Sequence, residues 1–71
     1  MVDEIAAELD SLAERVLDLS LDRLREATTS EPEERDRLMA EEKRLTRARR
    51  AIEKAAYLLR GQESGDSVDY Q

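Results

Sequence analysis

The stretch Thr28-Thr29-Ser30-Glu31-Pro32-Glu33-Glu34 decides the fold of this chain, because it interrupts two long stretches of helix-forming residues. The two threonines and Ser30 disfavour a helix interior. Ser30 is also a good N-cap, and Pro32 suits the first turn of a new helix. Glu33 follows Ser30 by three residues, which is the spacing of a capping box. We therefore predict that one helix ends here and another begins.

The arms on either side of this break are rich in Ala, Leu, Glu and Arg, which favour helix. We predict a first helix over about residues 2–27 and a second over about residues 31–60, with Gly61 as a natural stop. A turn this short forces the two helices to lie antiparallel. The predicted fold is all-α, an antiparallel two-helix hairpin. Residues 61–71 hold Gly, Ser, Gln and acids, and we predict an acidic, flexible tail.

The composition of the 71 residues excludes several kinds of site. The chain has no Cys and no His, which excludes disulfides, Cys/His zinc sites and nucleophile pairs that need a histidine base. Charged residues make up 42% of the chain and aromatic residues 3%, so little apolar surface is available for a pocket, and we expect no enzyme. No apolar run approaches the roughly 20 residues of a membrane span. The acidic N-terminus lacks the basic start of a signal peptide, so we expect a cytoplasmic protein.

The first helix carries two apolar stripes. One follows the alternating four- and three-residue steps of a coiled-coil seam, with Ile5, Leu9, Leu12, Val16 and Leu19. The other is offset from it and consists of Leu17, Leu21 and Leu24. One partner helix cannot cover both stripes. The excess favours either self-association into a four-helix dimer or docking of another protein, for which we select Leu17, Leu21 and Leu24 as partner-binding residues.

The second helix combines an apolar stripe with a polar line. The apolar stripe repeats every seven residues, with Leu38, Leu45, Ile52 and Leu59, and we expect Ala48 and Ala55 to let the helices approach closely. The other half of the seam reads Glu42, Arg49 and Ala56, and Glu42, Thr46, Arg49 and Glu53 form a line beside it. Such a line is common in coiled coils, where its members form salt bridges.

Charge is unevenly distributed along the chain. Residues 1–42 carry 14 acids and 5 bases, residues 43–60 carry 7 bases and 1 acid, and residues 61–71 add three acids, which gives the net charge of −6. The seven bases either pair with the acidic first helix or form an anion site, because Arg side chains match phosphates and guanine edges. We expect no direct binding to DNA, since the net charge is negative and no recognition motif is evident.

Glu42, Thr46, Arg49, Glu53 and Tyr57 follow one another at steps of four, three, four and four residues, which keeps them on one helix face. With its paired acids and Arg cluster, this segment resembles the actinobacterial anti-sigma factors that are gated by cyclic di-GMP and hold a WhiG-type sigma factor. The ligand motif of that family is Glu, three residues, Ser, two residues, Arg, three residues, Gln, three residues, Asp. This chain matches the Glu and the Arg, has Thr for Ser, and departs from the motif with Glu for Gln and Tyr for Asp. The resemblance covers roughly 20 of the 71 residues.

The resemblance implies a helical hairpin that binds a cyclic di-GMP dimer along its coiled coil and thereby grips a sigma factor, keeping it from RNA polymerase. Members with one copy of the motif pair as homodimers, so that two chains build the ligand site. The motif slots that carry over are Glu42, Thr46, Arg49, Glu53 and Tyr57, and the residue chemistry adds Arg50 to the predicted ligand-binding residues. By that chemistry Arg49, helped by Arg50, would bind a guanine edge or phosphate, and Glu53, four residues further on, would orient Arg49.

In the same interpretation Glu42 would accept from a guanine N–H, Thr46 would bond a phosphate oxygen and Tyr57 would stack on a base. The residues leave open an alternative, a ligand-independent coiled-coil dimerisation or adaptor module.

Overall fold

The computed structural model describes residues 1–61, which form two α-helices, α1 (Val2–Ala27) and α2 (Pro32–Leu59). The helices run antiparallel, because Ser20 near the end of α1 bonds Glu42 in the first half of α2, whereas Asp10 bonds Arg60 at the far end. The all-α hairpin predicted from the sequence is confirmed. The predicted tail lies outside the described residues except for Gly61.

The turn differs from the predicted capping box. The hydroxyl of Ser30 donates to the carbonyl oxygen of Glu26 at 2.7 Å, so Ser30 serves the end of α1 rather than the start of α2. The N-cap of α2 is Glu31, which has extended backbone with ψ at 157° and makes no side-chain capping bond. The physical reason is Pro32, because a proline disfavours helical backbone in the residue before it. The last non-helical position is therefore one residue later than predicted.

Arg35, in the first turn of α2, donates hydrogen bonds to two carbonyl groups at the turn. Its Nε donates to the carbonyl oxygen of Ala27 at 3.2 Å, and a terminal nitrogen donates to that of Ser30 at 3.1 Å. The hydroxyl of Thr28 donates to the carbonyl oxygen of Arg25 at 2.7 Å. Carbonyl groups at a helix C-terminus have no partner within the helix. Here hydroxyls and one guanidinium donate hydrogen bonds to these carbonyl groups, so the Thr- and Ser-rich turn stabilises the end of α1.

α2 ends at Gly61. This residue has φ of +70°, and its N–H donates to the carbonyl oxygen of Leu58 at 3.0 Å. Left-handed backbone is accessible to glycine without a steric penalty and is the usual end of a helix.

The hairpin is held together by small residues. α1 buries a residue every seven positions, and the buried residues of both helices are Ala6, Ala13, Ser20, Ala27, Leu38 and Ala56. The prediction that Ile5, Leu12 and Leu19 lie in the hairpin seam is wrong, since each is 40–45% exposed. Alanines let two helix axes approach toward the short end of the usual 8–10 Å range, and larger side chains then lie beside the contact.

The same correction applies to α2. Ala48 is exposed and Ala55 is half-buried, so neither provides the close approach predicted for them. Ala56 provides it instead, at 1% exposure. Glu42 and Arg49 are half-buried at the seam positions predicted for them. In its thinnest dimension the Cα trace extends only 11 Å, so the hairpin is a single layer of helices with an open surface on each side.

Two cross-helix ion pairs mark these two sides. Arg23 Nε lies 3.0 Å from Glu41 on one side, and Arg60 lies 2.8 Å from Asp10 on the other. At 3.6 residues per turn, Arg23 and Asp10 are separated by about 140° around α1, with buried Ser20 between them. Steps of 4, 7, 11, 14 and 18 residues along a helix return to about the same side. Each ion pair therefore identifies the other residues on its side.

The apolar flank is the side marked by Arg23 and Glu41. Counting back from Arg23 and forward from Glu41 in those five steps reaches ten residues, none of them charged: Ile5, Leu9, Leu12, Val16 and Leu19 on α1, and Leu45, Ala48, Ile52, Ala55 and Leu59 on α2. The polar flank is the side marked by Asp10 and Arg60. It includes Leu17, Leu21 and Leu24 on α1 and Glu42, Thr46, Arg49, Glu53 and Tyr57 on α2.

Candidate functional site

The polar flank brings together the two sets of residues that the sequence singled out separately. Glu42, Thr46, Arg49 and Glu53 lie 18, 14, 11 and 7 positions before Arg60, and Tyr57 lies four positions after Glu53. The three leucines lie 7, 11 and 14 positions after Asp10. Leu17 and Leu21 are 38% and 40% exposed, whereas Leu24 is half-buried. The candidate ligand line and the candidate partner-binding leucines therefore share one side of the hairpin.

Glu42 is the best-defined polar group of this flank. Its Oε2 accepts hydrogen bonds from the hydroxyl of Thr46 at 2.8 Å and from that of Ser20 at 2.9 Å. The bond from Thr46, the bond from Ser20 and the nearby charge of Lys43 lower the pKa of Glu42 below its ordinary value, while desolvation opposes them. Hydrogen bonds to the charged form of a carboxyl favour that form. Glu42 is therefore an ionised acceptor at neutral pH.

Ser20 is the site residue that sequence reasoning missed. It is a polar residue at a seam position of α1, 3% exposed, and its hydroxyl spans the hairpin to reach Glu42. A hydroxyl placed in a line of alanines is a signal in the sequence, since buried polar groups need partners. The register that sets Glu42 opposite Ser20 depends on the turn and is not visible in the sequence.

Thr46 forms a hydrogen bond within its own helix. Its hydroxyl donates to Glu42 at 2.8 Å and so restrains that carboxylate, and the bond from Thr46 to a phosphate stays a prediction.

Arg49 is held as the sequence predicted. A terminal nitrogen donates to Glu53 at 3.0 Å, one helical turn further on, and the Arg49 side chain is 24% exposed. Stepping seven residues along each helix from Ser20 and Glu42 places Arg49 across from Ala13, a small residue that leaves room for the guanidinium. Arg49 Nε is buried and has no hydrogen-bond partner in the described part of the chain. An unpaired buried donor is unfavourable, so an acceptor brought by a ligand would stabilise it.

The bases beside this line are not neutralised by the hairpin. Lys43, Arg47 and Arg50, with Glu42 and Thr46, line a shallow open depression of about 250 Å³. The bases that form no ion pair within residues 1–61 include Lys43, Arg44, Arg47, Arg50 and Lys54. The interpretation that the basic block pairs with the acidic first helix is therefore correct only for Arg60. The reason is placement, because the unpaired bases lie on the outside of α2.

A second charged surface lies near the turn, and two of its bases form ion pairs with acids of the hairpin. Arg23 contacts both Glu26 and Glu41, and Arg37 pairs with Glu34. These residues, with Leu38 and Arg44, line an open depression of about 370 Å³. Its charges largely cancel, so it offers less attraction to an anion than the depression beside Thr46.

Over residues 1–61, no group of three or more acidic side chains is placed to hold a metal ion. Neither helix of that range carries the apolar length that crossing a bilayer requires. No protein-family model, curated protein or solved structure matches the chain.

Proposed function

We propose that this chain is a regulatory binding protein, an anti-sigma factor that binds cyclic di-GMP on the polar flank and in response sequesters a sigma factor. The observation that carries the proposal is that Arg49, whose buried Nε has no partner within residues 1–61, shares one side of α2 with the ionised Glu42, and that Glu42 lines a depression with Lys43, Arg47 and Arg50. The resemblance of residues 41–60 to the cyclic di-GMP-gated anti-sigma factors supports the choice of ligand.

The donors and acceptors on this flank suit a guanine base. Guanine presents N7 and O6 as acceptors on one edge, which match the fork of an arginine. Its N1–H and amino group are donors, which match a carboxylate acceptor such as Glu42. Both bonds from within the hairpin fall on Oε2 of that carboxylate. Glu53 restrains Arg49 beforehand, which reduces the entropy lost when a ligand binds.

The phosphates of the ligand would lie among Lys43, Arg47 and Arg50. Glu42 and Glu53 repel an anion, and these three bases, which form no ion pair within residues 1–61, offset that repulsion. The bases are exposed, so their attraction is screened by salt, and the affinity is expected to fall as the salt concentration rises.

Because the ligand line and the exposed leucines share one flank, a bound ligand would affect how a partner binds. Exposed Leu17 and Leu21 lie on the same side as the ligand line, so a bound dinucleotide would add its own surface to theirs. A partner that contacts both would bind the loaded hairpin more tightly, and by linkage would also raise the affinity for the ligand.

Calorimetric titration of the chain with cyclic di-GMP, alone and with a WhiG-type sigma factor, tests the proposal. Arg49→Ala should weaken binding roughly 10- to 100-fold, the range for loss of charge-assisted hydrogen bonds. Arg25→Ala removes the same charge from an exposed position on α1 and should leave the affinity unchanged. Absence of binding in both titrations, or equal affinities for the two variants, would overturn the proposal.

A second candidate is a ligand-independent dimerisation or adaptor module. The apolar flank favours it, since ten residues without charge lie on the side away from the ligand line. Such a module would keep the same oligomeric state and partner affinity with and without nucleotide, and light scattering during the titration would separate it from the first candidate.

A further inference from the structure

The apolar flank has more apolar surface than a lone hairpin can bury. Over residues 1–61 no large side chain is fully buried, and Ile5, Leu12, Leu19 and Leu59 are each exposed by 40% or more. Leu9, Val16, Leu45 and Ile52 are half-buried between these residues and the seam. Contiguous apolar surfaces of this kind mark interaction sites.

We propose that a second copy of the chain covers this flank, with α1 of each copy packed antiparallel against α2 of the other. The contact is isologous, so both copies use the same surface about a two-fold axis. The product is a four-helix bundle in which each helix has antiparallel neighbours. The proposal does not rest on ligand binding.

The shapes of the two helices on this flank fit each other. α1 presents large side chains such as Leu12 and Leu19, whereas α2 presents Ala48 and Ala55 between Leu45, Ile52 and Leu59. Large side chains set into gaps left by small ones are the basis of knobs-into-holes packing. Ala48 and Ala55, which do not form the close contact between α1 and α2, therefore leave gaps on the apolar flank for the side chains of the second copy.

Charge selects this pairing of helices over the alternative. The outer border of the flank is formed on α1 by Glu4, Glu8, Arg15 and Asp22, and on α2 by Glu33 and Arg44. Arg44 has no ion-pair partner within residues 1–61. Packing α1 against α2 of the partner sets Asp22 beside Arg44. Packing α1 against α1 would set the acids of that helix beside one another, which is unfavourable.

The area of the flank lies near the lower limit for a specific interface. Its residues span 5–19 and 45–59, about 21 Å of each helix, so a face two helices wide at roughly 10 Å per helix presents on the order of 400 Å² per copy. Together with the bordering side chains, the total for two copies approaches the roughly 1,000 Å² of a specific interface. The polar flanks of both copies would face outward, so the bundle would carry two separate ligand lines and form without nucleotide, unlike the shared site implied by the resemblance.

Sedimentation of the 71-residue chain without nucleotide tests the interface. We expect a dimer, with twice the mass of 8.2 kDa, at micromolar concentrations. Leu12→Asp should raise the dissociation constant roughly 100-fold or more by placing a charge in the interface. Leu17→Asp is the matched control, since Leu17 is 38% exposed on the polar flank and Leu12 is 40% exposed on the apolar flank. A monomeric parent chain, or dissociation by Leu17→Asp alone, would overturn the proposal.

A cross-linking experiment covers the case in which Leu12→Asp fails to fold. The chain lacks cysteine, so Asp22→Cys and Arg44→Cys introduce single thiols at exposed border positions that the bundle sets side by side. A mixture of the two variants with a short bis-maleimide should give a covalent dimer. Asp22→Cys mixed with Lys43→Cys, which lies further around α2, should give much less. Equal yields from the two mixtures would contradict the arrangement, whatever the outcome of the ligand titration.

Discussion

Replacing Ala13 with leucine tests the packing of the hairpin most directly. Ala13 is 3% exposed in the middle of the seam, and stepping from the Ser20–Glu42 bond places it across from Arg49. A leucine here needs the helices to separate from the close contact of an alanine seam toward the 10 Å typical of larger side chains. The separation would loosen the contacts of Ala6 and Ala56 as well.

The expected loss of stability follows from overpacking. Adding carbons to a tightly packed site typically costs 1–3 kcal/mol. In a domain of this size each kcal/mol lowers the melting temperature by about 4–8 °C. Ala7→Leu provides the matched control, because Ala7 is exposed on the same helix and the change in helix propensity is the same.

Circular dichroism during urea and thermal unfolding, at one protein concentration, measures the difference between the two variants. Ala13→Leu should be less stable than Ala7→Leu by about 1–3 kcal/mol. Equal stabilities, or a more stable Ala13→Leu, would refute the alanine seam and would restore Leu12 and Leu19 as the residues that join α1 to α2.

Two further predictions concern the polar flank and the end of α2. Ser20→Ala should raise the pKa of Glu42 toward its ordinary value of 4.5, as measured by NMR titration, because one bond to the carboxylate is lost. In the parent chain the lowered pKa stabilises the fold above about pH 4.5, and this contribution is lost as the pH falls through the folded-state pKa; Ser20→Ala should reduce that acid dependence, and an unchanged pKa would contradict the assignment. Gly61→Ala should destabilise α2 by about 1 kcal/mol in urea unfolding, since φ is +70° there. Gly61→Asn should cost less, because asparagine tolerates this conformation, and equal losses would point to another cause.

The helices could be predicted from the sequence because their ends depend on local chemistry. Pro32 and Gly61 act through their own backbone preferences, which do not depend on the rest of the fold. The seam of α1 could not be predicted in the same way. Leu12 and Leu19 repeat every seven residues, and so do Ala13 and Ser20, so periodicity alone could not decide which stripe faces α2.

The candidate site was predictable only in part for a similar reason. The spacing of Arg49 and Glu53 on one helix was sufficient to predict their ion pair, because residues four apart are neighbours. The bond between Ser20 and Glu42 joins different helices, and its formation depends on the register. Composition likewise indicated the number of bases but not their side of α2, so it could not show that Lys43 and Arg47 would form no ion pair within residues 1–61.

The thinness of the hairpin has a consequence for every substitution in it. Because the Cα trace is only 11 Å deep, each seam residue lies directly beneath both the apolar and the polar flank. Ala13 separates the side that carries Leu12 from the side that carries Arg49 by the width of one methyl group. The usual division between interior and surface positions therefore does not apply to this protein. Its interior is the boundary between the apolar flank and the polar flank, and a change in that boundary alters both.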